Sequence, residues 1–142
     1  MKYLYLRNNN IGDQGAESLS KLILHNKSMI ELDLYNCQIR ENGGSLIGNA
    51  LRQNFCIEKF SIGENTIHRK DIDTIQQSVV FNTNYNSTKF GHKKFDGFAH
   101  NLIAESLKKW ASGSVFVAKK LEQRLRAPVD ETDQQIANVI CT

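Results

Sequence analysis

One pattern recurs in this 142-residue chain at a constant spacing, and that spacing constrains the fold more than any local feature does. Two apolar residues flank one variable residue and are followed, three residues later, by Asn or Cys. The pattern begins at Leu4, Leu32 and Phe60, so the steps are 32 − 4 = 28 and 60 − 32 = 28 residues. Other apolar columns keep the same step: Met1, Met29, Ile57 and Tyr85; Leu19, Ile47 and Ile75; Ile23, Leu51 and Val79. A period of this length is typical of stacked structural units.

Each unit predicts a short strand followed by a helix. Apolar and exposed side chains alternate over Leu4-Tyr5-Leu6 with the two-residue period of a strand. Apolar residues then recur at helical spacing, as at Ala16 and Ile23, after a turn where Asp13 is placed to cap the helix. Neither element can bury its apolar face alone, whereas stacked units can. The period therefore predicts a solenoid with one parallel sheet along its inner side.

The first unit resembles the ribonuclease-inhibitor class of leucine-rich repeats, in the segment Leu4-Tyr-Leu6-Arg-Asn-Asn9-Asn-Ile11-Gly-Asp-Gln-Gly15-Ala-Glu-Ser-Leu19. The resemblance covers about residues 1–90 and implies a right-handed α/β horseshoe whose members mostly bind other proteins. We expect three 28-residue units and a partial fourth over residues 1–90. A helical C-terminal segment over residues 91–142 would follow, either as a cap on the last unit or as a docking tail.

Polar residues also hold the 28-residue step, at the two corners of each unit. One set follows the strands, and the other follows the predicted helices. The two sets are Asn9, Cys37 and Asn65, and Asn26, Asn54 and Asn82. A stacked amide can satisfy backbone groups that a turn leaves unpaired, so we interpret both sets as structural ladders, without a catalytic role.

Strand alternation predicts which side chains face the concave surface. They are Tyr3, Tyr5, Arg7, Glu31, Asp33, Tyr35, Lys59 and Ser61, with Lys89 from the partial fourth unit. Tyr and Arg are enriched at binding hot spots, which favours a protein partner at this surface. The alternative is a solvated face whose charges pair across strands. The mixed sign disfavours a nucleic acid backbone.

Both ends of the repeat array offer other interaction surfaces. Met1 and Leu4 already occupy strand and core positions, so we expect the array to continue or another chain, including a second copy, to cover that end. A basic amphipathic tail follows the repeats. Its docking candidates are Lys108, Lys109, Trp110, Lys119 and Lys120, for a protein partner or, less favourably, a membrane surface.

The sequence lacks the usual signatures of catalysis and metal binding. It has no Gly-rich phosphate loop, no GxSxG or HExxH motif, and no closely paired Cys or His. We therefore expect no enzyme activity, cofactor or metal. Three dispersed cysteines and no signal-like segment favour free thiols and a cytoplasmic location, and a net charge of +3 is too small to indicate nucleic acid.

The favoured function is a protein-interaction module or scaffold. The alternatives are a regulator of a small GTPase, resembling the Ran activators, and a structural subunit of a cytoskeletal or ciliary assembly.

Overall fold

The computed structural model describes residues 1–91 and positions 115, 116, 119 and 120. The chain divides into two compact parts, residues 1–83 and 84–142, and the first contains the sheet. Strands and helices alternate: β1 (Tyr3–Tyr5), α1 (Gly12–His25), β2 (Glu31–Asp33), α2 (Glu41–Gln53), β3 (Lys59–Ser61) and α3 (Arg69–Gly91). The units that begin at Met1, Met29 and Ile57 are called units one, two and three below. The α/β class is as predicted.

The three strands form one parallel sheet in the order β1-β2-β3. Leu4 pairs with Leu32, and Leu32 pairs with Phe60, so the offset between neighbouring strands equals the 28-residue period. The strands are parallel because each is followed by a helix that returns the chain to the start of the next strand. Equivalent side chains therefore lie side by side across the sheet.

The core of residues 1–83 lies between the sheet and the helices. Its buried apolar side chains are Ala16, Ile23, Met29, Leu32, Leu34, Cys37, Ile39, Ile47, Ala50, Leu51, Ile57, Ile75 and Phe81. Leu32 and Leu34 of unit two are fully buried, whereas their equivalents in units one and three are only partly buried. This difference follows from position, because β2 has a strand on both sides.

Helices α1 and α2 approach closely at a glycine. A Cβ at Gly43 would lie 2.5 Å from Asp13 Oδ1 and 2.8 Å from Ala16 Cβ. Only a residue without a side chain fits this contact without displacing its neighbours. Gly43 therefore sets the distance at which unit two stacks on unit one.

The predicted fourth strand is not present, because α3 continues to Gly91. Lys89, predicted for the concave surface, lies in this helix instead. Thr88 occupies the column of Leu4, Leu32 and Phe60, so a strand there would direct a hydroxyl toward the core. The chain remains helical where the apolar strand pattern is lost.

Only part of the predicted docking tail can be placed. Lys108, Lys109 and Trp110 lie outside the described residues. Lys119 and Lys120 are both helical, but Lys119 is exposed whereas only 3% of Lys120 is exposed. Consecutive residues of a helix point in different directions, so two adjacent lysines do not share one exposed face. Lys120 therefore does not belong to an exposed docking surface, contrary to the prediction. No helix within the described residues has both the length and the apolar content to cross a bilayer.

Candidate functional site

The open sheet face is the side of the sheet turned away from the helices. It carries Tyr3, Tyr5 and Arg7 from unit one, Glu31, Asp33 and Tyr35 from unit two, and Lys59, Ser61 and Gly63 from unit three. Tyr3 and Tyr5 have 54% and 60% of their surface exposed. The predicted residues of the first three units thus lie on neighbouring strands or directly after them, with large aromatic side chains at the β1 edge.

The charged side chains of the open sheet face pair across the strands. Arg7 Nε donates a hydrogen bond to Asp33 Oδ2 at 3.0 Å, and Lys59 Nζ lies 3.9 Å from Glu31 Oε2. Two cations and two carboxylates therefore balance each other on this face. Because each of these charges already has a partner, the face gains little affinity from a further charged ligand. The pairing nevertheless fixes the position of each charge.

Asp33 is the most constrained of these acids. Burial alone would raise its pKa, but the backbone N–H of Tyr35 and the Arg7 guanidinium both donate to the carboxylate. These hydrogen bonds outweigh burial and hold the pKa of Asp33 below its usual range. Asp33 is thus an ionised structural contact between units one and two.

The ring of Tyr35 is held by its neighbours on both adjoining units. The Arg7 guanidinium carbon lies 4.2 Å from the ring centroid, a cation–π contact. From unit three, a Cβ at Gly63 would be 3.1 Å from ring carbons Cδ2 and Cε2. The Tyr35 ring can therefore occupy this position because Gly63 has no side chain. Strand alternation predicts the position of Tyr35 on this face, but it does not predict this dependence on Gly63.

Tyr5 lies beside the acidic residues of unit two. Its pKa is raised, first by desolvation and then by the charge of Glu31 and a hydrogen bond with it. The phenol is therefore a neutral hydrogen-bond donor across the physiological pH range. Together with the fixed ring of Tyr35, it makes the open sheet face aromatic and close to neutral.

The polar column after the strands links each unit to the one before it. Asn65 Oδ1 accepts hydrogen bonds from the backbone N–H groups of Cys37 and Ile39, both at 3.0 Å. Asn65 Nδ2 donates to Leu34 O at 2.8 Å, and the thiol of Cys37 donates to Leu6 O at 3.0 Å. Units two and three thus each reach back to backbone groups of the preceding unit.

A second ladder makes the same backward contacts from Asn54, directly after α2, and from Asn82, at the equivalent position within α3. Asn54 Nδ2 donates to Ile23 O at 2.9 Å, while its Oδ1 accepts the N–H of Ile57 in its own turn. Asn82 Nδ2 donates to Asn54 O at 3.1 Å. Among the described residues, the fully buried Asn82 Oδ1 has no hydrogen-bond partner. Because α3 continues past Asn82, the turn that supplies an N–H to this oxygen in the earlier units is missing.

Asp13 makes the opposite, forward contact, which the repeat pattern did not predict. Its Oδ1 accepts the backbone N–H groups of Arg40 at 2.8 Å and Gly43 at 3.1 Å, so it caps α2 of the next unit. The expectation that Asp13 caps its own helix is wrong, since Ile11 is the N-cap residue of α1 and Asp13 Oδ1 bonds to the start of α2 instead. Glu41, one period later, lies 3.1 Å from His68 Nε2. The acidic residues at positions 13 and 41, one period apart, are the sequence signal that could have indicated these contacts between units.

Two thiols lie within the described residues, one fully buried at Cys37 and one partly buried at Cys56. The Cys56 thiol donates to Lys27 O at 3.1 Å, which again links unit two to unit one. In residues 1–91 and the four described tail positions, no group of three or more His, Cys, Asp or Glu residues is arranged to hold a metal ion.

Comparisons with known proteins agree with the repeat architecture. A family model described as Leucine Rich repeat matches residues 1–20. A mouse protein named NACHT, LRR and PYD domains-containing protein 14 is 28% identical over 109 residues, which is 76% of this chain. The chain spans only 11% of the length of that relative. No solved structure matches the chain. With the 28-residue register of the sheet, these similarities support a leucine-rich repeat protein.

Proposed function

We propose that this chain is a non-catalytic interaction module that binds a protein partner through the open sheet face. In this proposal the face is the concave side of a right-handed solenoid of the ribonuclease-inhibitor-like class. One observation carries the proposal: Tyr3 and Tyr5 are exposed beside a fixed Tyr35, on a face whose charges already pair. The leucine-rich repeat similarity supports the same kind of role.

The energetics favour the tyrosines as the source of affinity. A partner that covers the exposed half of one tyrosine buries on the order of 100 Å², which is worth about 2 kcal/mol. Tyrosine also loses little conformational entropy when it becomes ordered. The paired charges would then set specificity, because a partner must match two fixed cations and two fixed carboxylates.

The state of the acids supports binding over acid–base chemistry. Asp33 is held ionised by Arg7 and the N–H of Tyr35, so it is a poor proton donor and a weak base. Glu31 faces Lys59. The carboxylates on the open sheet face are therefore already engaged with neighbouring residues.

Site-specific photocrosslinking tests the proposal for a protein partner of any identity. A benzophenone amino acid replaces Tyr5 in one protein and Ser18, an exposed residue of α1, in the control. We expect a crosslinked protein from Tyr5 but not from Ser18, and we expect Tyr3→Ala to reduce its yield at least tenfold. Equal crosslinking from both positions, or an unchanged yield in Tyr3→Ala, would contradict a partner on this face.

A further inference from the structure

The amino-acid sequence contains one Asn-Gly pair, Asn42–Gly43, and it lies in the first turn of α2. Asn42 is exposed, whereas Gly43 is buried. Asparagine followed by glycine is especially prone to deamidation, because glycine has no side chain to shield its backbone nitrogen. Packing requires the glycine, since a Cβ at Gly43 would lie 2.8 Å from both Ala16 Cβ and Ile39 Cγ2. The contact between α1 and α2 therefore maintains a reactive pair of residues next to solvent.

Deamidation of this pair uses a nucleophile that the backbone itself supplies. The amide nitrogen of Gly43 loses its proton to water or hydroxide and attacks Cγ of Asn42. A five-membered succinimide ring forms as the Cγ–Nδ2 bond breaks, and the side-chain nitrogen leaves as ammonia. Water then opens the ring at either of its carbonyls, which gives aspartate or isoaspartate at position 42. The first step therefore needs a Gly43 nitrogen that is free to lose its proton and a backbone that can bend toward the side chain.

In the folded protein, Asp13 of unit one engages that nitrogen. The N–H of Gly43 donates to Asp13 Oδ1 at 3.1 Å, and the N–H of Arg40 donates to the same oxygen at 2.8 Å. An N–H bonded to a carboxylate is a poor acid, because loss of its proton would place two negative charges close together. The helical backbone at Asn42 also keeps the Gly43 nitrogen away from the side chain that it must attack. Unit one therefore protects a reactive site in unit two.

We propose that Asn42 is a latent modification site whose deamidation is controlled by the contact between units one and two. The residue reacts when the first turn of α2 opens and Gly43 leaves Asp13. The isoaspartyl product carries one additional methylene group in the backbone, so Gly43 cannot regain its close contacts with Asp13 and Ala16. A transient opening of this junction thus becomes permanent. The site lies between the helices and not on the open sheet face, so the inference does not depend on binding there.

Peptide mapping by mass spectrometry tests the inference on the full chain. Folded protein and protein unfolded in urea are incubated at the same pH and temperature, and conversion of Asn42 is followed over time. Two hydrogen bonds to a carboxylate hold the turn closed, so we expect deamidation about a hundredfold slower in the folded protein than in urea. Equal rates in the folded and unfolded protein would overturn the proposal.

Substitutions at Asp13 test whether this contact is the source of the protection. Asp13→Ala should accelerate deamidation of the folded protein about tenfold or more, and Asp13→Asn, which retains an acceptor oxygen, should have a smaller effect. The matched control is Asn54→Ala, which removes hydrogen bonds to Ile23 O and Asn26 O and weakens the same pair of units at the other end of α2. We expect this variant to deamidate at nearly the parent rate, because Gly43 keeps its bond to Asp13.

Two further measurements keep the result decisive. Hydrogen exchange at the Gly43 amide reports opening of the turn independently of the reaction, and it should accelerate in the Asp13 variants together with deamidation. Asp13→Asn replaces Asp13→Ala in the comparison, should the alanine variant fail to fold. Unchanged deamidation in the folded Asp13 variants, or the same acceleration in Asn54→Ala, would overturn the proposal. Acceleration in the Asp13 variants alone, in step with Gly43 exchange, would support it.

Discussion

Replacing Asn65 with alanine should weaken the junction between units two and three far more than its own turn. The change leaves the N–H groups of Cys37 and Ile39 without their acceptor, and both residues are fully buried. Each buried group left unpaired costs about 1–3 kcal/mol, so we expect a loss of about 3 kcal/mol. With a urea dependence of about 2 kcal/mol per molar, the unfolding midpoint falls by about 1.5 M.

Asn9→Ala is the matched control for this prediction. It removes the same amide from the same column, but Asn9 bonds only to carbonyls of its own turn. We expect about 1 kcal/mol for this variant. Far-UV circular dichroism in urea measures both, and hydrogen exchange at the Ile39 amide should accelerate only in Asn65→Ala. Equal midpoint shifts in the two variants would refute the view that the ladder joins neighbouring units.

Four other substitutions test separate features. The depressed pKa of Asp33 means that its contribution to stability is present above the unfolded pKa, near the ordinary value of 3.8, and is lost as pH falls through the folded value. Urea midpoints should therefore drop less on acidification in Asp33→Asn than in the parent. Glu64 has a φ of 56°, a left-handed conformation that asparagine tolerates better, so Glu64→Asn should raise the free energy of unfolding by about 1 kcal/mol. Gly43→Ala should destabilise by about 1–3 kcal/mol because of its close contacts. Gly48→Ala meets only ordinary contacts at 3.7 Å or more and should stabilise its helix by about 0.5–1 kcal/mol, as thermal melts of both variants would show.

The sheet could be predicted from the sequence because its register is the repeat itself. Once Leu4, Leu32 and Phe60 are recognised as one column, only side-by-side strands bury all three. The extent of α3 could not be predicted in this way. Tyr85 and Phe90 keep the apolar columns, but Thr88 does not, and the balance between strand and helix then depends on packing.

The candidate site could be predicted as a set of residues, but not as a set of contacts. A period of 28 residues identifies Asn65 and Asp13 as members of repeated columns. The spacing to the preceding unit, however, is the same as the spacing to the following unit. It does not indicate that Asn65 bonds backward whereas Asp13 bonds forward. The place of the Tyr35 ring was missed for a related reason, because it depends on Gly63 in the next strand.

These opposed contacts have a consequence for how such arrays can be rearranged. Asp13 secures the helix of the unit after it, and Asn65 secures the strand end of the unit before it. Recombination or engineering that moves a single unit would therefore break hydrogen bonds in two neighbours whose own sequences are unchanged. Since Asp13 and Gly43 are 30 residues apart and Cys37 and Asn65 are 28 residues apart, only a segment longer than one unit contains both members of such a pair and can carry their hydrogen bonds intact.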